Sequence, residues 1–213
     1  MKKLILSAIL LVMLSFGLKA QNDTIKSQDL LNEITLTNKD STALLPKKII
    51  FTQRLLWGEK GLMRNFSEFE LTPVNRQNEL KIRRTMLVAH QALGFLTLGG
   101  MIAQGFVGAK LYNDIGNRSL RHTHAALAAG VNFGYFTTAS LALFAPPKML
   151  DERKGYSSIK LHKALAIVHF SSMVATNILA SQVRAHPDLI PYHRAAAYTA
   201  FAAFAASMIV IKF

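Results

Sequence analysis

The 213-residue chain contains no cysteine. This absence excludes disulfides, covalent c-type haem attachment and zinc or iron–sulfur sites with cysteine ligands, so any metal must be held by histidine. Acidic residues are also scarce, 12 Asp plus Glu against 25 Lys plus Arg, and all of them lie outside the long apolar segments. Because no paired carboxylates, activated nucleophile or phosphate-binding loop is present, hydrolase chemistry is not expected.

Four segments lack every Asp, Glu, Lys and Arg: residues 85–109, 122–147, 164–183 and 195–211. Each approaches the roughly 20 residues that a helix needs to cross the hydrocarbon core of a bilayer. Apolar residues surround most of each predicted helix, which a water-soluble helix does not tolerate. Since the connections between these segments are short, neighbouring helices must run in opposite directions. The sequence predicts an all-α membrane protein, an up-and-down four-helix transmembrane bundle in the lipid bilayer.

The chain before the bundle divides into two parts. Residues 1–20 have the basic start, apolar run and small-residue end of a cleavable signal peptide. Residues 21–82 form a polar, exported N-terminal segment, in which the mixture of apolar and basic residues over 44–69 is typical of an amphipathic helix lying on a membrane surface. Residues 83–213 form the transmembrane domain. We expect a multi-pass protein of a bacterial-type inner membrane.

Two signals disagree on orientation. The export signal puts the N-terminal segment outside the cytoplasm, whereas the larger number of Lys and Arg on that side favours the reverse. We prefer the export signal because it acts first during synthesis. The net charge of +13 does not indicate nucleic acid as a partner, since the basic residues flank apolar segments and no nucleic-acid-binding module accompanies them.

One histidine stands near the start of each apolar segment: His90, His124, His162 and His193. Because successive helices alternate in direction, the first and third histidines share one membrane face, and the second and fourth share the other. Histidine in a membrane is costly unless it is paired, so these residues are candidate metal ligands. His169 is an alternative to His162, because it lies on about the same helical face roughly 10 Å deeper.

The context of these histidines resembles the transmembrane core of the cytochrome b561 family. The segments that carry the resemblance read HQALGF from His90, HAAL from His124, LHKALA around His162 and an Ala-rich run after His193. The resemblance covers about residues 83–213. It implies two b-type haems, one ligated by His90 and His162 and the other by His124 and His193, and single-electron transfer across the membrane. Lys163-Ala164 departs from the Ser-Trp that commonly follows the third ligand in the family.

The resemblance implies a transmembrane oxidoreductase or electron carrier whose donor or acceptor is a quinol, an ascorbate-like reductant or a redox protein. A second interpretation is a haem-bearing anchor subunit of a respiratory or reductase complex, and a third is a haem-free scaffold or transporter. The chain would act as a homodimer or a complex subunit. Haem propionates would meet basic residues at the helix ends, namely Arg83, Arg84, Lys160 and Lys163 on one face and Arg121, Arg184 and Arg194 on the other.

The apolar segments are rich in small residues, and the sequence is compatible with two roles for them. Gly94, Gly99, Gly100, Gly105 and Gly108 fall in the first segment. Small residues let a porphyrin lie close to the backbone, but they equally let two helices pack closely. The sequence alone does not choose between these uses.

Overall fold

A computed structural model describes residues 44–149 and 157–212. The predicted signal peptide and the first part of the predicted exported segment, through residue 43, lie outside the described residues. The described chain is helical and contains no strand. It forms α1 (Phe51–Trp57), α2 (Pro73–Asn113), α3 (Arg118–Leu143), α4 (Ser158–Gln182) and α5 (Ile190–Lys212), with short 3-10 turns at Leu62–Asn65, Ser67–Phe69 and Pro187–Leu189.

Helices α2 to α5 are long and apolar enough to cross a membrane. They confirm the prediction of an all-α four-helix membrane bundle. Their outer surfaces expose large apolar side chains, such as Leu96, Phe106, Phe133 and Ile167. Such a surface is stable in contact with lipid, whereas in water it would drive association. The chain is therefore a multi-pass membrane protein.

Local sequence fixes where three of these helices begin. Thr72, Asn117 and Ser157 each accept a hydrogen bond from the backbone N–H three residues further on. These side chains satisfy backbone donors that have no partner within the helix. Pro73 follows the first of these caps, at a position where its missing N–H costs nothing. Helix α2 thus begins twelve residues before the first apolar segment and extends beyond the membrane.

The bundle is built from two helical hairpins. Helix α2 packs along α3, and α4 packs along α5, while the two hairpins meet mainly through side chains at the centre. Glycine permits the close approach within the first hairpin, since a Cβ on Gly134 would lie 2.8 Å from Thr97 Oγ1 and one on Gly100 would lie 3.0 Å from Val131 Cγ2. At these positions the small residues serve helix packing.

Residues 44–72 fold back on one end of the bundle and are called the cap here. Helix α1 is fixed to the end of α3 by two hydrogen bonds, from Thr52 Oγ1 to the Leu143 carbonyl at 2.6 Å and from Trp57 Nε1 to the Phe144 carbonyl at 2.9 Å. The surface helix expected over residues 44–69 is confined to the seven residues of α1. The helix stops because Gly58 and Gly61 let the chain turn sharply, and a Cβ on Gly61 would lie 2.4 Å from the Leu56 carbonyl oxygen.

A buried ionic cluster joins the cap to α2. Glu79, whose side chain is fully buried, accepts hydrogen bonds from Arg64 of the cap and from Arg76 one turn earlier on α2. The remaining guanidinium donors bind backbone carbonyls, including Trp57 at 2.6 Å from Arg64 and Pro147 at 2.9 Å from Arg76. Both guanidinium groups contact the Glu79 carboxylate and their other donors reach carbonyls, so the cluster tolerates burial. It ties together the cap, α2 and the segment that follows α3.

Replacing Glu79 with Gln should destabilise the cap. It leaves two buried guanidinium groups without a counter-charge, and breaking a buried ion pair typically costs about 3–5 kcal/mol. We expect a lower thermal midpoint in detergent and faster proteolysis between residues 44 and 72. Glu70→Gln, which removes an exposed carboxylate of the same cap, is the matched control. Equal behaviour of the two variants would contradict the structural role of the cluster.

Candidate functional site

The four predicted histidines form two pairs, each with one ring from each hairpin. The His90 and His162 ring centroids are 6.3 Å apart with the ring planes at 82°. The His124 and His193 centroids are 6.4 Å apart with the planes at 77°. The structure thus brings together the first with the third histidine and the second with the fourth, as the alternation of helix direction predicts.

The spacing of each pair matches two ligands on one metal ion. A metal–imidazole bond is about 2.0 Å, and a ring nitrogen lies about 1 Å from its ring centre, so two rings on opposite sides of one ion have centroids about 6 Å apart. Edge-to-face contact of two rings covers the same range, about 4.5–7 Å. The distance therefore permits ligation, and the hydrogen bonds of the ring nitrogens supply the further test.

Three of the four rings donate Nδ1–H to a backbone carbonyl of the other helix in their own hairpin. The distances are 2.8 Å from His90 to Thr138, 2.9 Å from His162 to Ser207 and 3.1 Å from His193 to Thr176. A carbonyl oxygen only accepts, so the proton is on Nδ1 and Nε2 keeps its lone pair. This hydrogen bond also fixes the orientation of the ring.

The fourth ring has a different partner. The side-chain amide nitrogen of Gln104 lies 3.3 Å from His124 Nε2 and donates to it. The proton of His124 is therefore also on Nδ1, but this atom is buried with no hydrogen-bond partner, as is Gln104 Oε1. All four rings thus have the same tautomer, and His124 alone lacks an acceptor for its N–H.

Every hydrogen-bond partner of these four rings lies at the same sequence distance from the histidine of its own helix. In α3, α4 and α5 the residue fourteen positions after the histidine supplies the acceptor carbonyl, Thr138 after His124, Thr176 after His162 and Ser207 after His193. In α2 the corresponding residue is Gln104, which acts through its side chain. Fourteen residues span about four turns and about 21 Å. The two histidine pairs therefore define two levels of the site, about 21 Å apart. Each helix contributes a histidine to one level and a hydrogen-bond partner to the other, both from one face.

The sequence did not indicate these hydrogen-bond partners of the histidine rings. The only sequence feature they share is their position fourteen residues after a histidine, where the four helices have Gln, Thr, Thr and Ser. Because three of them act through the backbone carbonyl, which every residue has, the residue type at this position carries no signal. Gly108 has a comparable local role, because a Cβ there would lie 3.0 Å from His124 Cε1. This glycine leaves room for the ring, unlike Gly99 and Gly105, where a Cβ would meet nothing within 4 Å.

His169, the alternative ligand, lies between the two pairs rather than within one. Its Nδ1 shares a hydrogen bond of 2.5 Å with the hydroxyl oxygen of Tyr135, and its ring centroid is 5.2 Å from that of Phe204. These side chains belong to a central layer completed by Met101, Val131, Met173 and Ala200. The structure pairs His90 with His162, while His122 and His186 are exposed.

The basic residues at the helix ends have varied surroundings. Arg83 donates to the Pro146 carbonyl at 2.7 Å, and the guanidinium of Arg194 stacks 3.7 Å from the centroid of the Tyr112 ring. Within the described residues, no group of three or more His, Cys, Asp and Glu side chains converges. The histidines described above therefore meet in twos, His90 with His162 and His124 with His193.

Comparisons with protein-family models, with curated proteins and with solved structures find no match to this chain.

Replacing Tyr135 with Phe should destabilise the central layer without altering the histidine pairs. The change leaves His169 Nδ1 buried without a partner, which costs about 1–3 kcal/mol. We expect a lower thermal midpoint in detergent. Tyr198→Phe, at an exposed tyrosine of α5, is the control and should unfold like the wild type. If both variants unfold like the wild type, the Tyr135–His169 bond contributes nothing to stability.

Proposed function

We propose that this protein is a dihaem b-type cytochrome that carries single electrons between a donor and an acceptor on opposite membrane faces. The observation that supports it is the presence of two histidine pairs whose centroid spacings, 6.3 and 6.4 Å, suit bis-imidazole ligation. His90 and His162 would hold one haem, and His124 and His193 would hold the other. The resemblance to the cytochrome b561 family adds to the proposal.

The residues fit the cofactor in protonation as well as in spacing. All four rings keep the proton on Nδ1, so each presents the Nε2 lone pair that a metal requires. At His124 this lone pair accepts from the amide of Gln104, which would turn away to admit a metal. A haem held by these histidines would supply outer-sphere transfer of single electrons.

The chain itself separates the two levels. The levels lie about 21 Å apart along the helices, and the layer of Tyr135, His169 and Phe204 lies between them. This packed layer excludes water and holds the hairpins at a fixed distance. Apolar surroundings and hydrogen bonds to the ligands are the means by which a protein adjusts the potential of such sites.

The proposal also covers the side of the membrane on which the cap lies and the class of redox partner. We infer that the cap lies on the exported side of a bacterial-type inner membrane, at the end of the bundle that holds His90 and His162. A quinol, an ascorbate-like reductant or a redox protein would exchange electrons there or at the opposite end. A subunit role in a respiratory or reductase complex uses the same histidines and predicts copurification of a partner.

Haem stoichiometry tests the proposal. Reduced-minus-oxidised spectra of the purified protein should give two b haems per chain in the wild type and one in each of His90→Ala, His162→Ala, His124→Ala and His193→Ala. Each substitution removes a ligand from one pair and leaves the other pair intact. His186→Ala, at an exposed loop histidine, and His169→Ala should retain both. A colourless protein, or loss of both haems in every variant, would rule the paired assignment out.

The two haems should differ in reduction potential. Both rings of the first pair donate Nδ1–H to carbonyls, whereas His124 lacks such an acceptor. A hydrogen bond on Nδ1 raises ligand basicity and favours the oxidised metal. The haem at His90 and His162 should therefore have the lower midpoint potential. Redox titration of the single-haem variants His124→Ala and His90→Ala assigns the two potentials, and the reverse order would refute the argument.

A further inference from the structure

A basic cavity opens at the end of the bundle opposite the cap. It has a volume of about 440 Å³ and is lined by Arg118, Arg121, His122, Ala125 and Arg184. Its walls come from the first turns of α3 and from the residues that follow α4. This volume lies within the range of about 300–1,000 Å³ that small-molecule sites occupy. Two of these residues, Arg121 and Arg184, are predicted from the sequence to meet haem propionates, whereas Arg118 and His122 have no role in the proposed electron transfer.

Among the described residues, no acidic side chain forms an ion pair with the arginines of this cavity. The two salt bridges of the described chain both involve Glu79 at the other end of the bundle. The first turn of α3 contains no acidic residue, although the positive end of a helix dipole favours acids and disfavours Arg. Arg118 and Arg121 therefore add positive charge where the helix already carries it. An anion bound in the cavity would relieve this repulsion.

The lining chemistry suits a phosphate group. Guanidinium groups bind phosphate oxygens through paired, charge-assisted hydrogen bonds. One donor of Arg121 is held by the Ile115 carbonyl at 2.6 Å, which fixes that side chain at the cavity wall. The unesterified oxygens of a phosphate, two in a lipid phosphodiester and four in inorganic phosphate, each accept more than one hydrogen bond, so one phosphate can be shared by several arginines.

The cavity also lies at the level where phosphate groups of lipids are found. Ala125 belongs to the apolar segment 122–147, while Arg118 and Arg121 precede that segment. The cavity thus begins at the membrane boundary and opens toward water. We propose that it is a phosphate-binding site, filled by the headgroup of an acidic phospholipid or by a phosphate from solution. Because Arg121 and Arg184 are also the residues expected to meet haem propionates, the test measures haem content as well as phosphate binding.

The test measures binding by native mass spectrometry of the full-length protein in detergent. One arm titrates inorganic phosphate, the other titrates phosphatidylglycerol, and phosphatidylcholine serves as the neutral lipid. We expect saturable one-to-one binding in one arm, which identifies the source of the phosphate. Arg118→Gln/Arg184→Gln should weaken it by about tenfold or more. Arg121→Lys, which keeps the charge but loses paired hydrogen bonding, should weaken it less.

The matched control removes the same charge elsewhere. Lys47→Gln/Lys48→Gln changes two exposed cap residues and should leave binding within about twofold of the wild type. Thermal midpoints equal to that of the wild type verify that the variants are folded. Absence of one-to-one binding in both arms, or equal weakening by the control, would overturn the proposal. Unchanged phosphate binding with loss of haem in the arginine variant would also overturn it and assign the cavity to haem carboxylates.

Discussion

The bundle depends on one interaction, the hydrogen bond that a ring N–H taken out of water donates to a backbone carbonyl. His90, His162 and His193 each donate Nδ1–H to a carbonyl within their own hairpin, whereas Nδ1 of His124 has no partner. This bond determines the tautomer and the direction of the ring, and it leaves Nε2 with a lone pair. Each of these bonds therefore lies within one hairpin and orients a ring that faces the other hairpin. Pairing across the bundle then follows from antiparallel packing.

The two ends of the bundle solve the problem of charge differently. At the cap end, the Glu79 carboxylate is shared by Arg64 and Arg76 in a buried cluster, and the other guanidinium donors reach carbonyls. At the other end, Arg118 and Arg184 line an open cavity with no acidic partner in the described ranges. One end is closed by the protein itself, and the other is an open cavity lined by arginines. The two ends of the bundle therefore differ in how their arginines are surrounded.

Sequence reasoning reached the helices and the histidine pairing but not the cap. Long uncharged runs have one stable solution in a bilayer, and the alternation of direction groups His90 with His162 and His124 with His193 without any knowledge of packing. The fold of residues 44–72 depends instead on contacts over long separations, such as Trp57 with Phe144. Glu79 illustrates the limit, because its sequence context is that of an exposed helix residue and only the cap buries it.

The sequence by itself determined four spans, their antiparallel order and which histidines share a level, because these follow from hydropathy and helix direction alone. Only the tertiary structure decided that His162 rather than His169 faces His90, and that His169 is engaged by Tyr135. Both histidines lie on one face of α4, seven residues apart. Helical periodicity therefore does not distinguish His162 from His169. Which of the two faces His90 depends on how far α4 is shifted along α2, and this shift is set by side-chain packing between the hairpins.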